Sequence, residues 1–473
     1  MHPTRSRRDS RNAIPTVERP TGRGAIGRML AVAAGLLLTA LACALPAGGG
    51  SGGDPVATAV AATLQAATGT APEGPIASPV PTTGVEPPSA ANGLGDPAGS
   101  FSLAYTSGGE AWLIEGDGPG RQLSTTGGVV QVVISSDGQR LAFARREQID
   151  MPSEIWAINR DGSGQTLLLA STRWNELYAH DEFLFNDLAG FDFLPGSHIL
   201  LLGTQGVPEG PGVFRYDDLL QLDADSGALT TLLPPGQGGA FSPSPDGETI
   251  ALVRPTSIGL VDADGSDLRQ DLVTFPMIIT YSEYLSYPKL TWSADSRAVG
   301  AAIASADPLA ADPSGTVWRI ARDSAAASAG PAIPGNFFFT QFSAASLAPD
   351  LEQVAFGRTG ADPNVTELYL GRADGSGLGM YVSGDVSWKG WSPDSLHFVF
   401  SQDSPANLKL GAPTAAPATL GDGHTLQWIN PSQFILLSGG EGSWNLSLGS
   451  IAGALTLLAS PGGDFVSFDV ATR

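Results

Sequence analysis

Cysteine is nearly absent. The 473-residue chain has one, so no intramolecular disulfide can brace it and no multi-thiolate zinc site can form. Lysine is almost as scarce, with three, and Lys plus Arg number 25 against 47 Asp plus Glu, a net charge of −22. A protein that grips nucleic acid regardless of sequence displaces counterions with Lys and Arg, so this balance excludes nucleic acid as a partner. Histidine is thin as well: beyond the N-terminal region there are only His180, His198, His397 and His424. No H-x-x-x-H or H-x-x-E spacing joins them, and neither a zinc site nor a histidine-based catalytic site is predicted. Turn formers, by contrast, abound. The 60 Gly and 36 Pro make about a fifth of the chain, short of the roughly 25–30% that marks low-complexity disorder. With 42% apolar content, they suit many short strands better than a helical bundle.

The N-terminus reads as an address. Residues 1–28 hold seven Arg and two acids, and MLAVAAGLLLTALA follows at 29–42 without a charge. A basic region, an apolar stretch and small residues before a cut describe a secretory signal. The single cysteine stands where that stretch ends, in Thr39-Ala40-Leu41-Ala42-Cys43. This string resembles a bacterial lipoprotein lipobox, although its Leu sits two residues before the cysteine rather than three. The resemblance implies lipidation at Cys43, with residues 1–43 as the signal and the mature chain anchored outside the cell membrane. The alternative is an uncleaved transmembrane anchor, since the apolar run over 29–46 reaches the short limit of a span. Either way the arginines stay inside and the rest is exported.

Residues 44–100 contain nine prolines and no aromatic or basic residue. Such a segment cannot bury enough apolar surface to offset its chain entropy and is expected to be a disordered stalk. Asp54-Pro55, with Val56, Val60 and Leu64 behind it, offers one short helix there. Gly49-Gly50-Ser51-Gly52-Gly53 matches the G-x-S-x-G hydrolase elbow by letters alone, without the strand and helix that motif requires.

From residue 101 onward the chain repeats. A turn followed by an apolar strand recurs as SSDGQRLAFA (135–144), SPDGETIALV (244–253), SADSRAVGAA (293–302), APDLEQVAFG (348–357) and SPDSLHFVFS (392–401), with weaker copies at 194–203 and 430–439. Behind most copies an aromatic or apolar residue stands five positions before an acidic turn, as Trp156 does before Asp161 and Trp318 before Asp323. Asp137-Gly138 and Asp246-Gly247 suit two-residue hairpin turns. Strands as apolar as HILLLG and FVF need a sheet covered on both faces, which radially stacked blades provide. The strings resemble the WD-like repeats of the TolB-type β-propeller family, in which a Ser-Pro-Asp-Gly turn joins the first two strands of each blade. The resemblance spans 101–473 and implies an all-β fold: a single propeller of eight four-stranded blades of about 47 residues, with seven as the alternative. Residues 101–125 supply three strands without a first, and DFVSFDV at 464–470 supplies a first strand, so the two ends are expected to complete one blade.

Within such a propeller the connections between first and second strands, and between third and fourth, share one face; here they are short. The opposite face receives the long ones, including 146–152, 172–187, 206–217, 276–287, 306–315 and 336–342. Long loops on a rigid scaffold tend to carry function, and Trp174, Tyr178, His180, Tyr281, Tyr284 and Tyr287 lie on two of them. Aromatics favour interface hot spots, which makes these six candidate partner-binding residues, although they also suit links that only cover blade edges. Asp262-Ala263-Asp264-Gly265-Ser266-Asp267 offers oxygens to calcium, but not in EF-hand order, and turns use Asp locally in any case. Inner-strand positions such as Val132, Phe241, Trp292 and Trp391 read as apolar, without the convergent carboxylates of an active site. Trp292, Trp391 and Trp428 leave open a sugar-stacking role or, more simply, packing between blades. Sialidase-type boxes are absent, and no residues remain for a peptidase domain. The sequence therefore predicts a monomeric, non-enzymatic, lipid-tethered propeller without cofactor or metal, which binds a protein or a cell-envelope component. The alternative is a small-molecule or glycan receptor, or an enzyme, working in the central funnel.

Overall fold

The structure, a computed structural model, describes residues 101–472 except 149, 180–181, 211, 213, 280–284, 309, 324–326, 339–344, 361, 363–364 and 404–406. The predicted signal with Cys43, the stalk and its short helix, and the loop residues His180, Tyr281 and Tyr284 lie outside the described residues.

Eight antiparallel sheets follow one another along the chain. Blade 2 shows the pattern: Val129–Ile134, Arg140–Arg145, Glu154–Asn159 and Thr166–Leu169, each strand paired with the next. Blades 3 to 8 begin with inner strands Phe185–Phe193, Ala240–Pro243, Leu290–Trp292, Ser346–Leu347, Val386–Trp391 and Thr425–Asn430. Blade 3 carries an extra two-residue strand, Phe214–Arg215. Blade 1 is built from both ends of the domain, with Phe468–Thr472 pairing Phe101–Ser107, then Glu110–Glu115 and Arg121–Gln122. Eight blades and the mixed closure are thus as the sequence implies, although the closing strand starts at Phe468, beyond Asp464.

The core is divided among the seams between blades. In blade 2, Leu141 and Phe143 pack toward blade 1, whereas Ala142 and Ala144 pack toward blade 3. This is the period-two alternation of a strand with both faces buried. Blade 7 repeats it: Phe398 and Phe400 face blade 6, and Val399 faces blade 8. One such cluster lies at each seam, and the one joining Ile435, Leu437 and Leu446 of blade 8 to Phe101, Leu103 and Ile114 of blade 1 closes the ring. At each seam apolar area leaves water at about 25 cal/mol per Å².

The Ser-x-Asp-Gly strings differ from the two-residue turns expected. Ser135 N donates to Arg140 O (2.8 Å) and Gly138 N to Ser135 O (2.7 Å), so four residues separate the closing pair. The Asp accepts from the Ser hydroxyl (2.6 Å in Ser135–Asp137 and in Ser244–Asp246). The fourth residue takes a left-handed φ in all five strong copies: Gly138 at 67°, Gly247 at 72°, Ser296 at 60°, Leu351 at 57° and Ser395 at 63°. Glycine is the comfortable choice there, yet the turn imposes the angle on Ser and Leu too.

Candidate functional site

Long connections do gather on one face, but only over part of the ring. Those spanning 146–153, 170–184, 208–218, 275–289, 305–313 and 335–345 crown blades 2 to 6, whereas the links from blade 6 to 7 and from blade 7 to 8 are short, at 383–385 and 423–424.

The link between blades 2 and 3 contains a 3-10 turn, Ser171–Arg173, and a one-turn helix, Trp174–Leu177. Trp174 is only 1% exposed and donates from Nε1 to Ser153 O at 2.6 Å. It is a pillar under the loop, so its ring offers no surface to a partner. Tyr178 and Tyr287, from the links flanking blades 3 and 4, act as rivets. Tyr178 donates to Asp218 Oδ2 (2.8 Å) and Tyr287 to Asp217 Oδ1 (3.1 Å), so two long links are fastened to consecutive carboxylates of one loop. Asp218 is buried and also accepts from Thr204 N (2.9 Å) and Thr204 Oγ1 (2.7 Å). Burial, reinforced by these carboxylates, holds both phenols protonated well above the usual range. Asp217 adopts φ 49°; burial raises its carboxyl against the pull of Tyr287 and of Arg215, whose guanidinium lies 5.0 Å from the Tyr287 ring centroid.

Sequence reasoning overlooked what these rivets present. Phe183 and Phe214 pack at 5.2 Å, Phe214 and Tyr216 at 5.6 Å, and Tyr216 and Tyr178 at 4.7 Å between ring centroids. Tyr216 donates to Asn186 Oδ1 (2.7 Å), whose amide nitrogen holds Tyr178 O (2.9 Å). The shelf's outer edge is open, with Phe214 52% exposed. Met151, Leu184, Met277 and Ile279, on the same crescent, are also exposed. Among them stand the exposed acids Glu147, Asp150, Glu182 and Glu209.

The axial channel corrects a second expectation. Val132, Trp292 and Trp391 belong to seam clusters, and Phe241 packs against another. Trp292 Nε1 donates to Ser242 O (2.9 Å) and Trp391 Nε1 to Ser346 O (3.2 Å), each binding its blade to the preceding inner strand. Trp428 packs edge-on against Phe434 in the seam between blades 7 and 8. Trp292 and Trp391 are buried seam groups that offer no platform for a sugar, and Trp428 is half-buried against its seam.

One residue away the register tells a different story. Strand pairing aligns Asp469, Val133, Asp192, Ser242, Thr291, Ser346, Gly390 and Gln427 at one level of inner strands 1 to 8. Asp469 of blade 1 accepts from Ile134 N (2.9 Å) of blade 2 and from Gln427 Nε2 (2.9 Å) of blade 8. It thereby ties three inner edges together. Among the described residues Asp192 accepts from Phe193 N alone (2.8 Å), and it keeps surface open to water. Enclosure by the channel wall, with the charge of Asp469 added, pushes its carboxyl up to about 7. Convergent carboxylates are therefore present. Just above this level stand Lys289, two residues before Thr291, and Lys389, bulged out before Gly390. Burial lowers both ammonium groups.

The opposite face spends its charges on itself. Ser136 Oγ accepts from Gly196 N (2.9 Å), Ser296 Oγ from Asp246 N (3.0 Å) and Ser395 Oγ from Asp350 N (2.9 Å), which links the turns of neighbouring blades. His198 lies between Asp225 (2.9 Å) and Asp137 (3.2 Å). Partial burial opposes its charge, but the two carboxylates prevail and raise its ring above the usual value. A shallow groove of about 430 Å³ beside it is lined by Arg160 and Glu115, which pair with each other, and by Arg121, which donates to Arg160 O. In the Asp-rich turn at 262–267, Asp264 Oδ1 accepts from Ser266 N (2.8 Å) and Oγ (2.6 Å), and Asp267 pairs with Arg269 (3.2 Å). Its oxygens are engaged in the turn. Among the described residues no group of three or more His, Cys, Asp or Glu is placed to hold a metal.

No family model and no curated protein matches the chain. Among solved structures, an oligogalacturonate lyase in complex with manganese is similar at 14% identity and TM-score 0.41, over 66% of this chain and 81% of that one. A eukaryotic initiation factor gives 13% and 0.47, over 77% and 85%. TolB from Acinetobacter baumannii gives 12% and 0.35, over 80% of each chain. Similarity at this level carries no argument about activity. The strand pairing of the chain itself establishes what it is, an eight-bladed β-propeller closed through its first blade.

Proposed function

We propose that this propeller is a non-enzymatic, monomeric binding module held outside the cell membrane, which docks a protein of the cell envelope on the loop crescent over blades 2 to 5. The observation that carries the reading is the company kept by Phe214, Leu184, Met151, Met277 and Ile279. Exposed apolar side chains on the loops of one face, interspersed with exposed acids, favour a partner segment that is both apolar and basic. Apolar anchors supply affinity at such a surface, and the acidic surround supplies steering and discrimination. The basic N-terminal region, the apolar run and Cys43 support export and lipid anchoring.

The test uses the full chain as bait for an envelope extract, beside a variant carrying Phe214→Ala, Met277→Ala and Ile279→Ala. One protein held by the first, lost by the second and released by added salt is the expected result. The same protein held equally by both removes the crescent from consideration. Separately, the wild-type chain should take up labelled fatty acid and Cys43→Ser should not; no label on the wild type would favour the uncleaved anchor.

A further inference from the structure

The axial channel separates charges of opposite sign. Two of the three lysines in the whole chain lie there, and neither Lys289 nor Lys389 has an ion-pair or hydrogen-bond partner among the described residues. Lys289 is exposed and Lys389 half-buried, so both ammonium groups stand where an anionic group of a solute can meet them with charge-assisted hydrogen bonds. Eight blades around an axis stand about 45° apart. Blades 1 and 3, bearing Asp469 and Asp192, therefore occupy the wall opposite blades 5 and 7, which bear the lysines. Lys289 immediately precedes the inner strand Leu290–Trp292, two positions before Thr291 of the carboxylate level. Gly390, at that level beneath Lys389, leaves the wall open, since a Cβ there would meet nothing within 4 Å. Asp192 and Lys289 are both exposed to water, so a solute can reach them. Asp469 is already occupied by Ile134 N and Gln427, and Asp192 has its second oxygen to offer.

We propose that the channel is a binding site for a small zwitterion, a short peptide or amino acid, with its ammonium on Asp192 beside Asp469 and its carboxylate between Lys289 and Lys389. A ligand with both charges would replace water with charge-assisted hydrogen bonds at each end. The site is independent of the loop crescent, and either can fail without the other.

Titration calorimetry on the full chain tests this with glycylglycine, 4-aminobutyrate and 6-aminohexanoate, and with butylamine and butyrate as singly charged controls. At least one zwitterion should bind saturably, and more tightly than either control. Asp192→Asn and Lys389→Met should each weaken it about tenfold or more, as loss of a charge-assisted hydrogen bond implies, while Phe214→Ala leaves it unchanged. Circular dichroism melts of both variants verify the fold, and Lys289→Met replaces Lys389→Met if that protein is unfolded. Butyrate binding as well as the zwitterions would reduce the site to an anion pocket, and butylamine doing so would reduce it to a cation pocket; either overturns the proposal. No heat from any probe overturns it as well.

Discussion

Replacing Asp192 with Asn should flatten part of the pH dependence of stability. The folded protein holds a proton on this carboxyl up to about pH 7, whereas the free side chain releases it near 3.8. Between those values the native state binds more protons than the unfolded chain, so stability falls as pH rises, and the contribution is gone above about 7. The interval sets a ceiling of about 4 kcal/mol. Asp192 keeps surface open to channel water, and solvent screening reduces the expected effect to about 1–2 kcal/mol. For a domain of this size that is a shift in Tm of a few degrees at most, roughly 2–4 °C. The substitution preserves the bond from Phe193 N, because an amide oxygen also accepts. The assay is a set of thermal melts of wild type and Asp192→Asn at about pH 5, 6, 7 and 8. The difference between them should grow in favour of the variant as pH rises, which cancels what His198 contributes to both. Parallel curves, or a variant less stable than wild type at pH 8, would refute the assignment of a desolvated carboxyl to the channel wall.

His198 should titrate above its usual value by NMR, and its contribution to stability, full at acid pH, should be lost as pH rises through that raised value. His198→Gln removes the transition, and an unshifted wild-type ring would show that Asp137 and Asp225 do not hold it. Phe143→Ala should cost about 3–5 kcal/mol, and Phe143→Asp should leave no cooperative melt, since that position is fully buried and cannot hold an unpaired charge. Leu396→Asp, on an exposed turn, should change stability by under about 0.5 kcal/mol. Gly138→Ala forces a Cβ into φ 67° at about 1–2 kcal/mol, whereas Gly210→Ala, with open space around it, should be neutral in the same denaturation assay.

The architecture was legible because its signals are local. A Ser, an Asp and a residue at positive φ lie within four positions of one another, and the strands behind them are apolar on both faces, so each copy declares itself by letters. Blade closure was legible for the same reason, as a surplus of strands at one end and a lone strand at the other. The channel was not. Val132 and Trp391 point into seams, and the polar level begins one residue away, where a shift of one exchanges the two faces of a strand. Asp192 and Asp469 meet only because blade 1 borrows its inner strand from the far end of the chain. Tyr178 and Tyr287 were singled out as candidate partner contacts, but the sequence could not show Asp218 and Asp217 waiting under them. The exposed edge of Phe214 was hidden in the same way, in a loop whose letters suggest only a turn.

Blade 1 also decides how the molecule bears load. Strand Phe101–Ser107 is not an edge: it is paired along Glu110–Glu115 on one side and Phe468–Thr472 on the other. A force entering at Phe101 along the chain therefore loads two ladders in shear, many bonds at once, instead of unzipping one ladder bond by bond. An open propeller pulled at its first strand would peel from the rim inward. This one should resist like a clasp, yielding in a single high-force event in which the first blade and the ring give way together, followed by low-force unravelling of the remaining seven.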